Sequence, residues 1–206
     1  MFQAVAMRSN KDIRAALAKQ QSPVRVIYVA SYPPRMCGIA TFTKDLTTAI
    51  NNVNPDALAE IIALNDFGEE YEYPWEVKLR IGQHKKSDYL MAARYINQSS
   101  ADIVCLQHEF GIYGGPEGDY STCLSAGGAP VDPQLLNKHL TSRYYLLDMI
   151  DRIEKPIVTT FHTILPNPDA HQMYVMCRII DRSAAVVAMT EDSRRLLITV
   201  SNGIGS

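Results

Sequence analysis

The sequence predicts an α/β domain, a parallel β-sheet with helices on both of its faces. Three observations predict it. Short β-branched apolar runs alternate with stretches of helical period along most of the 206 residues. The runs are too continuously apolar to leave one face in water, as strands buried on both sides are. Each run closes on proline, glycine or a polar loop, the punctuation of strand–loop–helix units. A chain of this length matches one domain, with room for a second only if the first is small.

The elements follow in order. Residues 1–22 form a leader outside the main pattern, in which Arg8, Lys11, Arg14 and Lys19 oppose the single acid Asp12. Asp12 to Lys19 is expected to be a short amphipathic helix with Ile13, Ala16 and Leu17 on one face. Arg8 interrupts the apolar start before a signal-peptide core could form, although a transit peptide would share this basic bias. Pro23 marks the start of the domain, taken as residues 23–200, with 201–206 as a tail. Val24 to Ala30 is a buried strand, closed by Pro33-Pro34, where two prolines end ladder bonding. Thr41, as N-cap, opens a helix to Asn52 with Phe42, Leu46, Ala49 and Ile50 facing inward. Ile61 to Leu64 is the next strand, followed by an acidic, aromatic loop (Glu69 to Pro74). Val77, Leu79 and Ile81 alternate with Lys78 and Arg80, the period of a half-buried or edge strand.

Ser87 to Gln98 is helical, with Leu90, Ala93, Tyr95 and Ile96 inward. Asp102 to Gln107 is a buried strand, and Leu135 to Ile153 carries a long helical pattern. Pro156 precedes the strand Ile157 to Phe161; a helix near Ala170 to Asp181 and the strand Ala184 to Met189 follow. The last helix opens on Thr190 and runs through Leu196 and Leu197. Strand–helix alternation of this kind is a Rossmann-like, doubly wound fold, which binds ligands beyond the carboxyl ends of its strands.

Composition removes several function classes. Twenty basic against 22 acidic residues leave a formal charge of −2, without the basic excess of electrostatic nucleic-acid binding. No apolar run reaches the roughly 20 residues that span a bilayer. Cysteines 37, 105, 123 and 177 stand far apart, with no C-x-x-C pair, which suits reduced thiols in the cytoplasm better than a zinc module.

Candidate chemistry lies in three loops after strands. The first, Pro33 to Thr41, holds Cys37, Gly38 and Ile39 before a helix N-terminus, where backbone N–H groups and the dipole favour an anion. Its plainer reading is a tight strand-to-helix turn. The second runs Gln107-His108-Glu109-Phe110-Gly111-Ile112-Tyr113-Gly114-Gly115. The third holds His162 and Thr163 at a buried strand's exit, where an imidazole suits a ligand hydroxyl or phosphate unless backbone groups satisfy it.

Four segments carry a family resemblance. They are Pro34 to Thr43, Leu106 to Gly115, Val158 to Thr163, and Val186-Val187-Ala188-Met189-Thr190 followed by Ser193 and Leu196-Leu197. In this order they closely resemble the N-terminal domain of bacterial family 4 glycosyltransferases, retaining enzymes of GT-B architecture that use nucleotide-sugar donors. The likeness spans Val24 to Val200. It implies the N-terminal half of a GT-B fold, shaping the acceptor site opposite a C-terminal domain that holds the donor nucleotide. It places the Gly38 loop near the donor phosphates and His162, the implied catalytic residue, against the donor sugar. Cys37, Ile39, His108, Glu109, Gly114, Gly115 and Thr163 become substrate-binding candidates.

Two departures stand out. The family's donor-contacting glutamate pair, with seven residues between the two, belongs to the C-terminal domain, whereas this chain ends at Gly205-Ser206. Glu109 and Glu117 repeat that spacing in the wrong half, which we read as coincidence. Residues 120–144 look inserted, since Gly118-Asp119 would join Tyr145 in the family's run, and a surface excursion is expected. The implied partners are a nucleotide-sugar donor and a carbohydrate acceptor. A separate C-terminal half and a peripheral membrane association stay open; no nucleic acid, metal or cofactor is expected. The alternative function is a non-catalytic sugar- or nucleotide-binding module, or a vestigial fragment. A nicotinamide-dependent oxidoreductase lacks its G-x-G-x-x-G here, and a hydrolase its G-x-S-x-G elbow.

Overall fold

The computed structural model describes residues 23–66, 68–113 and 144–202. The leader 1–22, Gly114 and Gly115, residues 120–143 of the expected insertion, and Leu135 to Arg143 of the long helical pattern lie outside them.

Six strands form one all-parallel sheet: β1 (Val26–Ala30), β2 (Glu60–Asn65), β3 (Val77–Gly82), β4 (Ile103–His108), β5 (Ile157–Phe161) and β6 (Ala185–Ala188). Among the described residues five helices accompany them: α1 (Gly38–Val53), α2 (Lys86–Gln98), α3 (Tyr145–Ile150), α4 (Ala170–Arg182) and α5 (Glu191–Asn202). This is the expected α/β Rossmann-like class. The strand order is β3-β2-β1-β4-β5-β6. The chain builds outward from β1 to β3, returns, and builds the other way from β4, so the order reverses between β1 and β4. At such a switch point the diverging loops leave a crevice beyond the carboxyl ends.

Register assigns the two faces. Ile27, Val29, Leu64, Leu106, Ile157 and Phe161 look into a core closed by α2, α3 and α4. On the opposite face, Tyr28, Ile61 and Ala63 pack under α1 through Leu46. β3 alternates half-buried Val77 and Leu79 with exposed Lys78 and Arg80, which keeps charge on the sheet's edge.

Two local expectations are corrected. Helix α1 begins at Gly38, three residues before Thr41, because Cys37 is extended (φ −150°, ψ 156°) and its Sγ accepts from the Ala40 N–H. A cysteine sulfur cap is outside the usual Ser/Thr/Asp/Asn set. The inward ridge of α1 is Ile39, Ala40, Thr43 and Thr47, while Phe42 is only half-buried and Ala49 is exposed. The threonines can be buried because Thr43 Oγ1 donates to the Ile39 carbonyl at 2.7 Å and Thr47 Oγ1 to that of Lys44 at 3.0 Å. Thr190 does cap α5, accepting from the Ser193 N–H at 3.1 Å. Tyr144, at the end of the expected insertion, is itself a buried core residue.

Candidate functional site

The carboxyl edge around the β1/β4 switch point gathers the polar side chains that the sheet buries. After β1, Arg35 folds back across the end of β2. Its Nη1 donates to the Leu64 carbonyl at 3.1 Å and its Nη2 pairs with Asp66 at 2.5 Å. This anchors the loop whose far end carries Cys37, 3.1 Å from Ser31 Oγ. Gly38 then opens α1 at the surface. A Cβ there would meet no atom within 4 Å, and its φ is not positive. Neither packing nor backbone conformation requires glycine at this point, and the space in front of the helix N-terminus is open. Ile39 differs: its side chain is in the core, so only its backbone faces the opening.

β4 delivers adjacent residues to opposite faces. Gln107 is on the α1 side and buried, and its Oε1 lies 2.8 Å from His162 Nε2. His108 is on the other side and fully buried, so the structure corrects its expected place lining the cleft. Its ring centroid lies 5.0 Å from both Phe110 and Phe161, and it stacks on Tyr113 at 5.7 Å. Neither of its nitrogens has a hydrogen-bond partner among the described residues. Burial, with a smaller contribution from His162, pushes its pKa down to about 3, so it is neutral at pH 7.

The turn after β4 is held from three sides. Tyr113 donates its hydroxyl to the Gln107 carbonyl at 2.7 Å, Tyr89 donates to the Tyr113 carbonyl at 3.1 Å, and Gln83 Nε2 donates to the Ile112 carbonyl at 3.0 Å. Glu109 starts this turn half-buried.

His162 leaves β5 on the Gln107 side. Its backbone N–H donates to the His108 carbonyl at 2.9 Å, continuing the ladder by one residue. The half-buried ring meets Phe42 of α1 edge-on at 4.9 Å, and burial lowers its pKa. Thr163 beyond it is exposed. The structure therefore brings Gly38, Cys37, His162 and Glu109's turn to one edge, turns His108 and the Ile39 side chain away, and leaves Gly114 and Gly115 undescribed. Beside this edge a cleft of about 450 Å³ lies over the ends of β2 and β3, lined by Asn65, Asp66, Arg80, Gln83, His84 and Lys85 among others. Asp66 joins the two regions through Arg35.

Sequence reasoning missed Gln107, Arg35 and Phe42 as parts of the site. Gln107 had one available signal, a polar residue closing an otherwise apolar buried strand. Arg35 and Phe42 had none, because only the fold brings them to Asp66 and His162. Among the described residues, no group of three or more His, Cys, Asp or Glu could hold a metal ion. Nor is any helix among them long and apolar enough to cross a membrane. No protein-family model and no curated protein matches this chain.

Proposed function

We propose that this chain is the acceptor-side, N-terminal domain of a retaining glycosyltransferase of GT-B architecture. In this reading a sugar passes from a nucleotide-sugar donor to a carbohydrate acceptor once a C-terminal domain completes the cleft. The observation that carries it is the meeting of His162 with the first turns of α1 at the β1/β4 switch point, where a doubly wound sheet takes its ligand. The four ordered motifs described above supply the class.

The residues would divide the work as follows. With Nε2–H donated to Gln107 Oε1, the neutral His162 ring keeps its Nδ1 lone pair to accept from a sugar hydroxyl. The first N–H groups of α1, unshielded at Gly38, suit the donor phosphates. The cleft over β2 and β3, with Arg80, His84 and Lys85 facing Asp66, offers polar partners for an acceptor's hydroxyls. Such a site works by positioning and by stabilising departing phosphate charge, not by a protein nucleophile.

Calorimetric titration of the chain with nucleotide sugars, nucleoside diphosphates, free sugars and NAD tests this reading. A nucleotide sugar should bind, and His162→Ala should weaken it by about 0.5–1.5 kcal/mol, the worth of one hydrogen bond, with thermal stability kept. Binding of NAD alone, or weakening that appears only together with loss of fold, would refute it. These 206 residues alone should release no nucleoside diphosphate from such donors above the His162→Ala control.

A further inference from the structure

A row of aromatic rings leads away from the cleft along the sheet's β3 edge. Between β2 and β3 the segment Glu69 to Pro74 is neither helix nor strand, and Pro74 disfavours helical backbone at Tyr73. Tyr71 and Tyr73, two residues apart, meet edge-on with ring centroids 5.7 Å from each other. Both are tied to the cleft wall. The Tyr71 hydroxyl donates to Asp66 Oδ2 at 3.0 Å, and that of Tyr73 to Asn65 Oδ1 at 2.9 Å. β3 then sets a cation against each of the next two rings. Arg80 Cζ lies 5.8 Å from the Tyr73 centroid. Lys78 Nζ lies 4.9 Å from that of Trp75 and donates to the Trp75 carbonyl at 2.9 Å. Lys78 and Arg80 are two residues apart on one strand, so the two pairs follow each other at about 7 Å. Arg80 also lines the cleft, and Trp75 is 66% exposed. The row therefore begins at the cleft and ends on an open indole.

We propose that this row is a carbohydrate track, on which a neutral oligosaccharide lies with one end in the cleft and one sugar stacked on Trp75. That this oligosaccharide is the acceptor rests on the glycosyl-transfer reading above. A pyranose carries C–H groups on its faces and hydroxyls around its rim, which suits an aromatic face bordered by hydrogen-bonding groups. Charge decides against an ionic occupant. Over one short stretch Glu69, Glu70, Glu72 and Glu76 stand with Lys78, Arg80 and Lys85. A polyanion would meet the glutamates and a polycation the bases, whereas hydroxyls donate to the one kind and accept from the other. A second copy pairing along this edge is opposed by Lys78 and Arg80, both exposed on the sheet's outermost strand. The far end is held in place, since the Tyr32 hydroxyl donates to Glu76 Oε1 at 3.0 Å, so little order is lost on binding. Val77 to Gly82 spans about 17 Å, a reach that needs several linked sugars. A chain touching both the cleft and Trp75 makes its second contact intramolecularly, and the track thereby selects for length.

Trp75 is the chain's one tryptophan, so its fluorescence reports the far end of the track. The full chain is titrated with cellobiose and cellohexaose, maltose and maltohexaose, and mannobiose and mannohexaose. At least one hexaose should shift the emission and bind about tenfold or more tighter than its disaccharide. In calorimetry, Trp75→Ala should weaken that hexaose about tenfold, the loss of one aromatic anchor, with the melting temperature kept. No emission change with any hexaose, equal affinity for hexaose and disaccharide, or an unaltered hexaose affinity in Trp75→Ala would overturn the proposal. So would tighter binding of heparin or polylysine than of every hexaose. An emission shift that follows protein concentration without sugar would give the row to a second copy and overturn it too. The nucleotide-sugar titration separates this proposal from the reading above. Hexaose binding without nucleotide-sugar binding keeps the track and refutes glycosyl transfer; the converse refutes the track alone.

Discussion

His108 is the sharpest point at which to test the physical reading of this fold. It is a titratable side chain, fully buried, among Phe110, Tyr113 and Phe161, with neither nitrogen partnered. In the unfolded chain it takes up a proton near pH 6.5; in the native protein only near pH 3. Between those values the unfolded state binds more protons, so stability falls as pH falls and is retained above pH 6.5. At about 1.4 kcal/mol per pH unit, moving from pH 7 to pH 5 should remove roughly 2 kcal/mol through this residue alone. His162, also lowered by burial, pulls in the same direction. Replacing His108 with leucine abolishes the protonation and removes two buried polar atoms that lack partners. At pH 7 His108→Leu should therefore be close to neutral or stabilising, because deleting unsatisfied groups offsets the change of shape. Urea unfolding followed by far-UV circular dichroism at pH 7 and pH 5, on parent and variant, gives the difference. The variant should lose about 2 kcal/mol less than the parent over that interval. An identical pH dependence in both proteins, or destabilisation of the variant by more than about 2 kcal/mol at pH 7, would refute the reasoning.

Three further substitutions probe separate parts of the edge. Gly38→Ala adds a methyl group into open space, so the melting temperature should stay or rise slightly, while nucleotide-sugar binding in a calorimetric titration should weaken. A fall in melting temperature would locate the need for glycine in the fold instead. Arg35→Met keeps the buried stem but drops the bonds to the Leu64 carbonyl and Asp66, and should cost about 1–3 kcal/mol in urea unfolding. Asp169→Ala removes the side-chain arm of the α4 capping box, in which the Gln172 N–H donates to Asp169 Oδ1 at 2.8 Å, and keeps the backbone arm, in which the residue 169 N–H donates to Gln172 Oε1 at 2.9 Å. A loss of about 1 kcal/mol is expected, with ligand binding unchanged.

All six strands were legible because five are short apolar runs closed by a breaker and β3 alternates apolar with charged residues, signals local to each segment. The alternation of Lys78 and Arg80 with half-buried partners narrowed β3 to a half-buried or edge strand, and the strand order puts it at the edge. Helix faces were less so. Counting apolar residues along α1 favoured Ala49, which is exposed, over Thr43 and Thr47, which are buried with their hydroxyls bonded inside the helix. In α2 the count passed over Tyr89, which is fully buried because Gln83 and Tyr113 accept its hydroxyl. In each case a polar atom had a private partner that no periodicity reveals.

The site shows the same limit at the level of a single residue step. Gln107 and His108 are neighbours on a strand buried on both sides, and strict alternation sends them to opposite faces. Because both faces are apolar, nothing in the run itself says which of the two reaches the crevice. The pairing of β4 with β5 decides it: His108 stands opposite Phe161, so the next residue, His162, falls on the Gln107 side. The more reactive-looking neighbour is thereby committed to packing, and the amide takes up the contact with His162 at 2.8 Å. A register one residue longer would exchange them, place an uncharged amide in the aromatic core and set two imidazoles side by side at the edge. The edge therefore carries one imidazole from these two strands, and its partner is an amide that cannot titrate.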